Sequence, residues 1–185
     1  MCDDRDIKIA GSQPSNTDRN KLETSYATEE FNREKQKGNI EKARRLGVLV
    51  AEHLSAQGRS ILFDIIGEDK RDYITQCHQL VTFAVSVSFG RFCSSSVVSK
   101  TAYNSFSDTL KRIAPEMYTS SKDMGAWSFY FLAYRRAGDV ERRIGQTFAM
   151  LCSHDGDPVF QEIGEALYCR VMSLVENLVN EIGFN

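Results

Sequence analysis

The sequence has 185 residues, of which 42% are hydrophobic, and its 23 basic and 25 acidic side chains give a formal net charge of −2. This length corresponds to about one domain, the hydrophobic share excludes general disorder, and the near-neutral charge excludes a protein that binds nucleic acids mainly through electrostatics. Only 12 Gly and 3 Pro residues are present, which is too few for an all-β fold rich in turns.

The N-terminal segment carries no apolar run of signal-peptide length. We expect residues 1–18 to be disordered and residues 19–185 to form one all-α domain. Five cysteines stand far apart, with no Cys-x-x-Cys pair, which favours reduced thiols and a cytoplasmic location over a disulfide framework or a zinc site. The longest stretch without charged side chains, residues 73–90, contains too many polar residues for a membrane span.

Apolar residues recur three or four positions apart through most of the chain, which predicts about seven helices. In chain order, we expect helices over residues 19–37, 39–58, 69–92, 97–114, 122–137, 139–151 and 157–182. Residues 81–89 also alternate in a strand-like pattern, but the helix is favoured because no convincing partner strand exists elsewhere. A helical bundle and an array of helical hairpins both fit this pattern.

Two of the predicted turns are similar to each other. Residues 31–42 read F-N-R-E-K-Q-K-G-N-I-E-K, and residues 131–142 read F-L-A-Y-R-R-A-G-D-V-E-R. In each, a Gly ends one helix and Asn39 or Asp139 is expected to cap the next. The turns resemble those of tetratricopeptide-type helical hairpins over about a third of the chain, although the family's Trp/Leu/Gly/Tyr pattern and its adjacent repeats of about 34 residues are missing. Generic hairpin chemistry also accounts for the similarity.

The region around the second turn is the predicted contact surface. The helix before it carries Trp127, Tyr130 and Tyr134, and the turn is bracketed by Arg135, Arg136, Arg142 and Arg143. Aromatic residues and arginine anchor many protein interfaces, and clustered guanidinium groups bind phosphate or acidic helices. We therefore expect a non-enzymatic protein that acts through contact with an unidentified protein partner, with self-association as a further possibility.

A simpler interpretation competes with this one. Trp127, Phe129 and Phe131 are then core residues, and the arginines pair locally with Asp139 and Glu141.

An alternative function is suggested by Arg71 and His78. The spacing R-D-x5-H resembles the Arg-(four to six residues)-His motif of HEPN-type helical ribonucleases, which cleave RNA as dimers. The resemblance implies that Arg71 stabilises phosphate charge and that His78 acts as acid and base. The ordinary alternative places Arg71 on the surface and His78 at the edge of the core.

A helical-bundle ligand or metal binder is the third class considered. Residues 152–157 read C-S-H-D-G-D, a segment with several possible metal ligands. Asp157 is, however, explained as the cap of a helix that begins at Pro158, and Asp155-Gly156 as a turn. No P-loop, GxSxG, GxGxxG or HExxH motif is present, and no cofactor is expected.

Overall fold

The computed structural model describes the backbone of residues 16–66, 73–122 and 124–185, and the side chains of residues 26–55, 73–122 and 125–185. Every long element within these ranges is a helix, which confirms the prediction of an all-α helical bundle. The helices are α1 (Asn16–Gln36), α2 (Asn39–Ile66), α3 (Ile74–Phe92), α4 (Ser96–Ile113), α5 (Pro115–Ser120), α6 (Met124–Arg135), α7 (Val140–Leu151) and α8 (Pro158–Ile182).

Some helix boundaries differ from the prediction. Helix α2 continues through Gly58 to Ile66, so the predicted end at Gly58 is wrong; a Gly inside a helix costs only about 1 kcal/mol. Pro115 follows α4 and also begins α5, since a helix's first position does not need an N–H donor. Helix α1 begins at Asn16, three residues inside the predicted N-terminal segment, and residues 1–15 lie outside the described residues.

The bundle is built around α3 and α8. Helix α8 packs against α7, α3 and α2, while α3 also contacts α4, α5 and α6. Helix α2 pairs closely with α4, and α1 lies against both. Buried apolar side chains of α2, α3, α4, α6, α7 and α8 form one continuous core. Helix α6, which carries the predicted contact residues, packs on α3 and α7.

The close pairing of α2 and α4 depends on Gly47. A Cβ atom at this position would lie 2.3 Å from the carbonyl oxygen of Ala102 and 2.6 Å from the backbone nitrogen of Phe106. Because only glycine lacks a Cβ, no other residue allows the two backbones to approach this closely. Gly90 of α3 is a contrasting case, since a Cβ there would meet no atom within 4 Å.

A partly buried hydrogen-bond cluster joins the α1–α2 turn to residues 183–185. The Nδ2 of Asn39 donates to Oε2 of Glu34 at 2.6 Å and to the carbonyl oxygen of Asn185 at 2.7 Å. The backbone N–H of Asn185 donates to Oδ1 of Asn39 at 3.1 Å, and Nζ of Lys42 donates to the carbonyl oxygen of Gly183 at 2.7 Å. Glu34 and Asn39 are both buried. Asn39 therefore does not act as the predicted helix cap, because its side chain serves this cluster instead.

The second of the two similar turns does form a capped hairpin. Oδ1 of Asp139 accepts a hydrogen bond from the backbone N–H of Arg142 at 3.0 Å, as an N-cap residue should. The two turns thus share their Gly but use the following residue differently. The tetratricopeptide-type resemblance stays a prediction.

Candidate functional site

The inner face of α6 is aromatic and is packed into the core. Trp127, Tyr130 and Tyr134 are spaced three and four residues apart, so they lie on one side of the helix. Their rings surround Phe83 of α3, with centroid distances of 5.7, 5.4 and 6.4 Å. Tyr130 is completely buried. The structure therefore places these predicted contact residues at the attachment of α6 to the bundle.

The outer face of α6 carries large apolar side chains that are exposed. Phe129, Phe131 and Leu132 have exposed fractions of 49%, 51% and 60%. Phe129 and Phe131 are thus not the core residues that the simpler interpretation expected, whereas Trp127 does pack against the core. We use the name outer face of α6 for Phe129, Phe131 and Leu132 together with the exposed Arg135 and Arg136.

Arg143 differs from the other arginines because its guanidinium group caps the end of α6. Nε donates to the carbonyl oxygen of Ala133 at 3.0 Å, and Nη1 donates to that of Ala137 at 2.9 Å. Nη2 donates to the carbonyl oxygens of Arg136 and Gly138 at 2.5 and 3.3 Å. The last carbonyls of a helix have no partner within the helix, and Arg143 supplies one from α7. The guanidinium group of Arg143 thus binds backbone carbonyls within the α6–α7 hairpin.

The three remaining arginines make no ion pair within the described part of the chain. Arg135 lies over the ring of Phe131, 5.5 Å from its centroid, in a cation–π contact. The side chains of Arg136 and Arg142 are exposed. Arg135 and Arg136 therefore add positive charge at the end of the outer face, and the exposed Arg142 follows them after the turn, on α7.

Of the two acidic residues of the turn, Asp139 caps a helix, and the charges of both affect a thiol on α8. The carboxylate of Asp139 caps α7 through the Arg142 N–H. Burial raises the pKa of the Cys169 thiol on α8, and the negative charges of Glu141, Glu165 and Asp139 raise it further. The predicted local pairing of the arginines with these acids is absent among the described side chains.

The two residues of the ribonuclease alternative are not both visible. His78 lies on α3 and is partly buried; burial lowers its pKa, which the charge of Glu116 on α5 partly opposes. Arg71 lies outside the described residues. Cleavage of single-stranded RNA by the wild type, with loss of cleavage in His78→Ala, remains the test of this prediction.

Residues 152–157 form a structured connection between α7 and α8. Nε2 of His154 and the Tyr73 hydroxyl are hydrogen bonded at 2.7 Å, and the imidazole stacks on Phe160 at 3.8 Å. Oδ1 of Asp157 accepts from the backbone N–H of Val159 at 2.9 Å, which caps α8 as predicted. Among the residues whose side chains are described, no group of three or more His, Cys, Asp or Glu is arranged to hold a metal ion.

An open cleft of about 440 Å³ lies between α1, α2 and α4. Its lining includes Phe31 and Ile40 together with the charged residues Arg44, Asp108 and Arg112. Arg44 is already paired with Glu41, one turn away on the same helix. Because its charges are mixed and partly paired, the cleft favours no single class of ligand.

The outer face of α6 is therefore the surface feature that best fits a functional site, whereas the contact residues predicted on this helix from the sequence, Trp127, Tyr130 and Tyr134, lie on its inner face. Large apolar residues occur all around α6, so periodicity does not say which stripe faces the core. A usable signal was the position of Arg135 and Arg136, which follow Phe131 and Leu132 by one helical turn. Charged residues lie on the solvent-facing side of an amphipathic helix, so apolar residues one turn before them share that side.

None of the helices within the described residues combines the length and the apolar character that crossing a membrane requires.

Comparison with known proteins returned no matching family model, no matching curated protein and no matching solved structure.

Proposed function

We propose that this protein is a non-enzymatic interaction module that binds a protein partner through the outer face of α6. The observation that carries the proposal is the exposure of Phe129, Phe131 and Leu132 within four residues of one helix. Single exposed apolar residues are common on protein surfaces, but adjacent ones that form a patch mark interaction sites. Removing the exposed half of each side chain from water is worth about 1 kcal/mol per residue, so the three side chains together would contribute about 3 kcal/mol, comparable to one interface hot-spot residue.

The attachment of α6 also suits a binding surface. The rings of Trp127, Tyr130 and Tyr134 hold the helix against Phe83, and Arg143 holds its last turn. A rigid binding element loses less conformational entropy when a partner docks than a flexible one does. The outer face is therefore presented in a fixed conformation before binding.

The cysteines support a cytoplasmic location. Cys77, Cys93, Cys152 and Cys169 are all free thiols, as is usual in a reducing compartment.

The test is affinity capture of partners from the native host with three forms of the full chain. The first is the wild type, and the second is the variant Phe129→Ser/Leu132→Ser. The third, Tyr26→Ser/Val159→Ser, removes two similarly exposed apolar side chains from α1 and α8 and serves as the matched control. Circular dichroism verifies that all three have the same helix content and melting temperature.

We expect a partner that binds the wild type and the control but is lost with the α6 variant. Equal capture by all three forms would contradict the proposal, because the outer face would then contribute nothing to binding. Light scattering on the purified wild type measures self-association. If the wild type is a dimer and the α6 variant is a monomer, the partner of the outer face is a second copy of this chain.

A further inference from the structure

Resting on the proposed function, we infer that the partner contributes an amphipathic helix with acidic residues in its first turn, and that this helix lies antiparallel to α6. The inference begins from charge. Arg135, Arg136 and Arg142 form no side-chain ion pair in the described structure, and α6 itself contains no Asp or Glu; the nearest acids in the sequence are Asp139, which caps α7, and Glu141. A partner that covers this face must supply negative charge. A guanidinium group that is buried without a counter-ion loses its hydration, and no other interaction offsets that cost in free energy.

The order of groups along α6 sets the order required in the partner. Phe129, Leu132 and Arg136 follow one another at i, i+3 and i+7, and Phe131 is followed by Arg135 at i+4. The apolar groups thus occupy the middle and the last turn of α6, Arg135 is its final residue, and Arg136 and Arg142 come after it, in the turn and on α7. A complementary segment places apolar side chains against Phe129 and Leu132 and acidic side chains next to the Gly138 turn.

The helix dipole then favours one direction. Acidic residues stabilise the first turn of a helix and destabilise the last. When the partner's first turn lies at the C-terminal end of α6, its acidic residues satisfy both their own helix and the three arginines. A parallel partner would need those acidic residues in its last turn. The antiparallel arrangement is therefore the favoured one.

Other occupants fit less well. A second copy of α6 would bring more arginines and no acid. Anionic membranes are recognised by clusters of about four to eight basic residues, whereas here three arginines stand beside Asp139 and Glu141. An acidic amphipathic helix matches both the apolar side chains and the modest positive charge.

The experiment is selection of a displayed library of random 16-residue peptides on the wild-type chain, with counter-selection on Phe129→Ser/Leu132→Ser. We expect the enriched peptides to carry Asp or Glu in their first turn, followed by apolar residues three and four positions apart. The best peptide is then synthesised and its Kd is measured by fluorescence anisotropy at two salt concentrations.

Two charge variants distinguish the arginines of the site from cations in general. Arg135→Gln/Arg136→Gln/Arg142→Gln should weaken binding of the selected peptide about tenfold or more and reduce its salt dependence. The control Lys100→Gln/Arg112→Gln/Arg170→Gln removes three exposed cations elsewhere and should leave Kd unchanged. Equal weakening by both variants would overturn the inference, since only the net charge would matter.

The outcomes separate this inference from the proposed function. Suppose that the selected peptides require the outer face and yet carry no acidic residue, or carry acidic residues only in their last turn. Either result would overturn the inference and leave the proposed function standing. Absence of any peptide that distinguishes the wild type from the α6 variant would also overturn it, and the capture experiment would then decide the proposed function. Binding to vesicles of phosphatidylserine and phosphatidylcholine that is lost in Phe129→Ser/Leu132→Ser would overturn it in favour of a membrane surface.

Discussion

Substitution of Asn39 by Ala tests how strongly the partly buried hydrogen-bond cluster holds the bundle together. The change removes one hydrogen bond to the carboxylate of Glu34 and two to the backbone of Asn185. A hydrogen bond to a charged group contributes about 2 kcal/mol and one between neutral groups about 1 kcal/mol. We therefore expect Asn39→Ala to lower the free energy of unfolding by about 4 kcal/mol, which is a large part of the stability of an ordinary domain.

The assay is equilibrium unfolding in urea, followed by circular dichroism at 222 nm. Asn104→Ala is the matched control, because Asn104 is exposed on α4 and its loss should change stability by no more than about 0.5 kcal/mol. A double-mutant cycle with Glu34→Ala isolates the contact between Glu34 and Asn39, for which we expect a coupling of about 2 kcal/mol.

Two results would refute this reasoning. A loss below about 1 kcal/mol in Asn39→Ala would mean that water replaces the lost partners without cost. A coupling near zero would mean that the 2.6 Å contact with Glu34 contributes nothing, even though both side chains are buried.

Three further predictions concern glycine, backbone strain and thiol burial. Gly47→Ala should destabilise the protein by about 3 kcal/mol because the new Cβ would overlap the backbone of α4. Gly90→Ala, where a Cβ meets no atom, should raise stability by up to about 1 kcal/mol. Urea unfolding of both variants measures the difference, and equal effects would contradict the close contact between α2 and α4. Ser153 has a φ of 61° where a helix end favours Gly, so Ser153→Gly should stabilise by about 1 kcal/mol in thermal melts, and a lower melting temperature would contradict this. Burial raises the pKa of both Cys77 and Cys169, but only Cys169 is exposed. A thiol reagent at pH 8 should therefore label Cys169 in the native protein and Cys77 only after unfolding, as read by peptide mass spectrometry. Rapid labelling of Cys77 in the native protein would show that the core opens.

The parts of the fold that were predicted correctly depend on local chemistry. Asp157 and Pro158 mark the start of α8, and Asp139 marks the start of α7, because capping uses residues within one turn of each other. The strand-like alternation in residues 81–89 was rightly assigned to a helix, since an isolated strand leaves its backbone unpaired. These predictions did not require knowledge of the contacts between helices.

The parts that were missed depend on contacts between distant residues. Asn39 looked like a helix cap, but its partners include Asn185, 146 residues away, and no local pattern reports such a contact. Likewise, Tyr130 is buried and its neighbour Phe131 is exposed because the Tyr130 ring stacks on Phe83 of α3. Helix periodicity locates stripes of apolar residues, but only the neighbouring helix determines which stripe is covered.

The contact between Asn39 and Asn185 also bears on the kinetics of folding. It closes a loop of 146 residues, and the entropy lost in closing a loop grows with its length. Contacts of this kind are expected to form after the folding transition state, in which shorter-range contacts dominate. Weakening the contact should then leave the folding rate almost unchanged and accelerate unfolding. The hydrogen-bond cluster would thus act mainly by prolonging the lifetime of the native state.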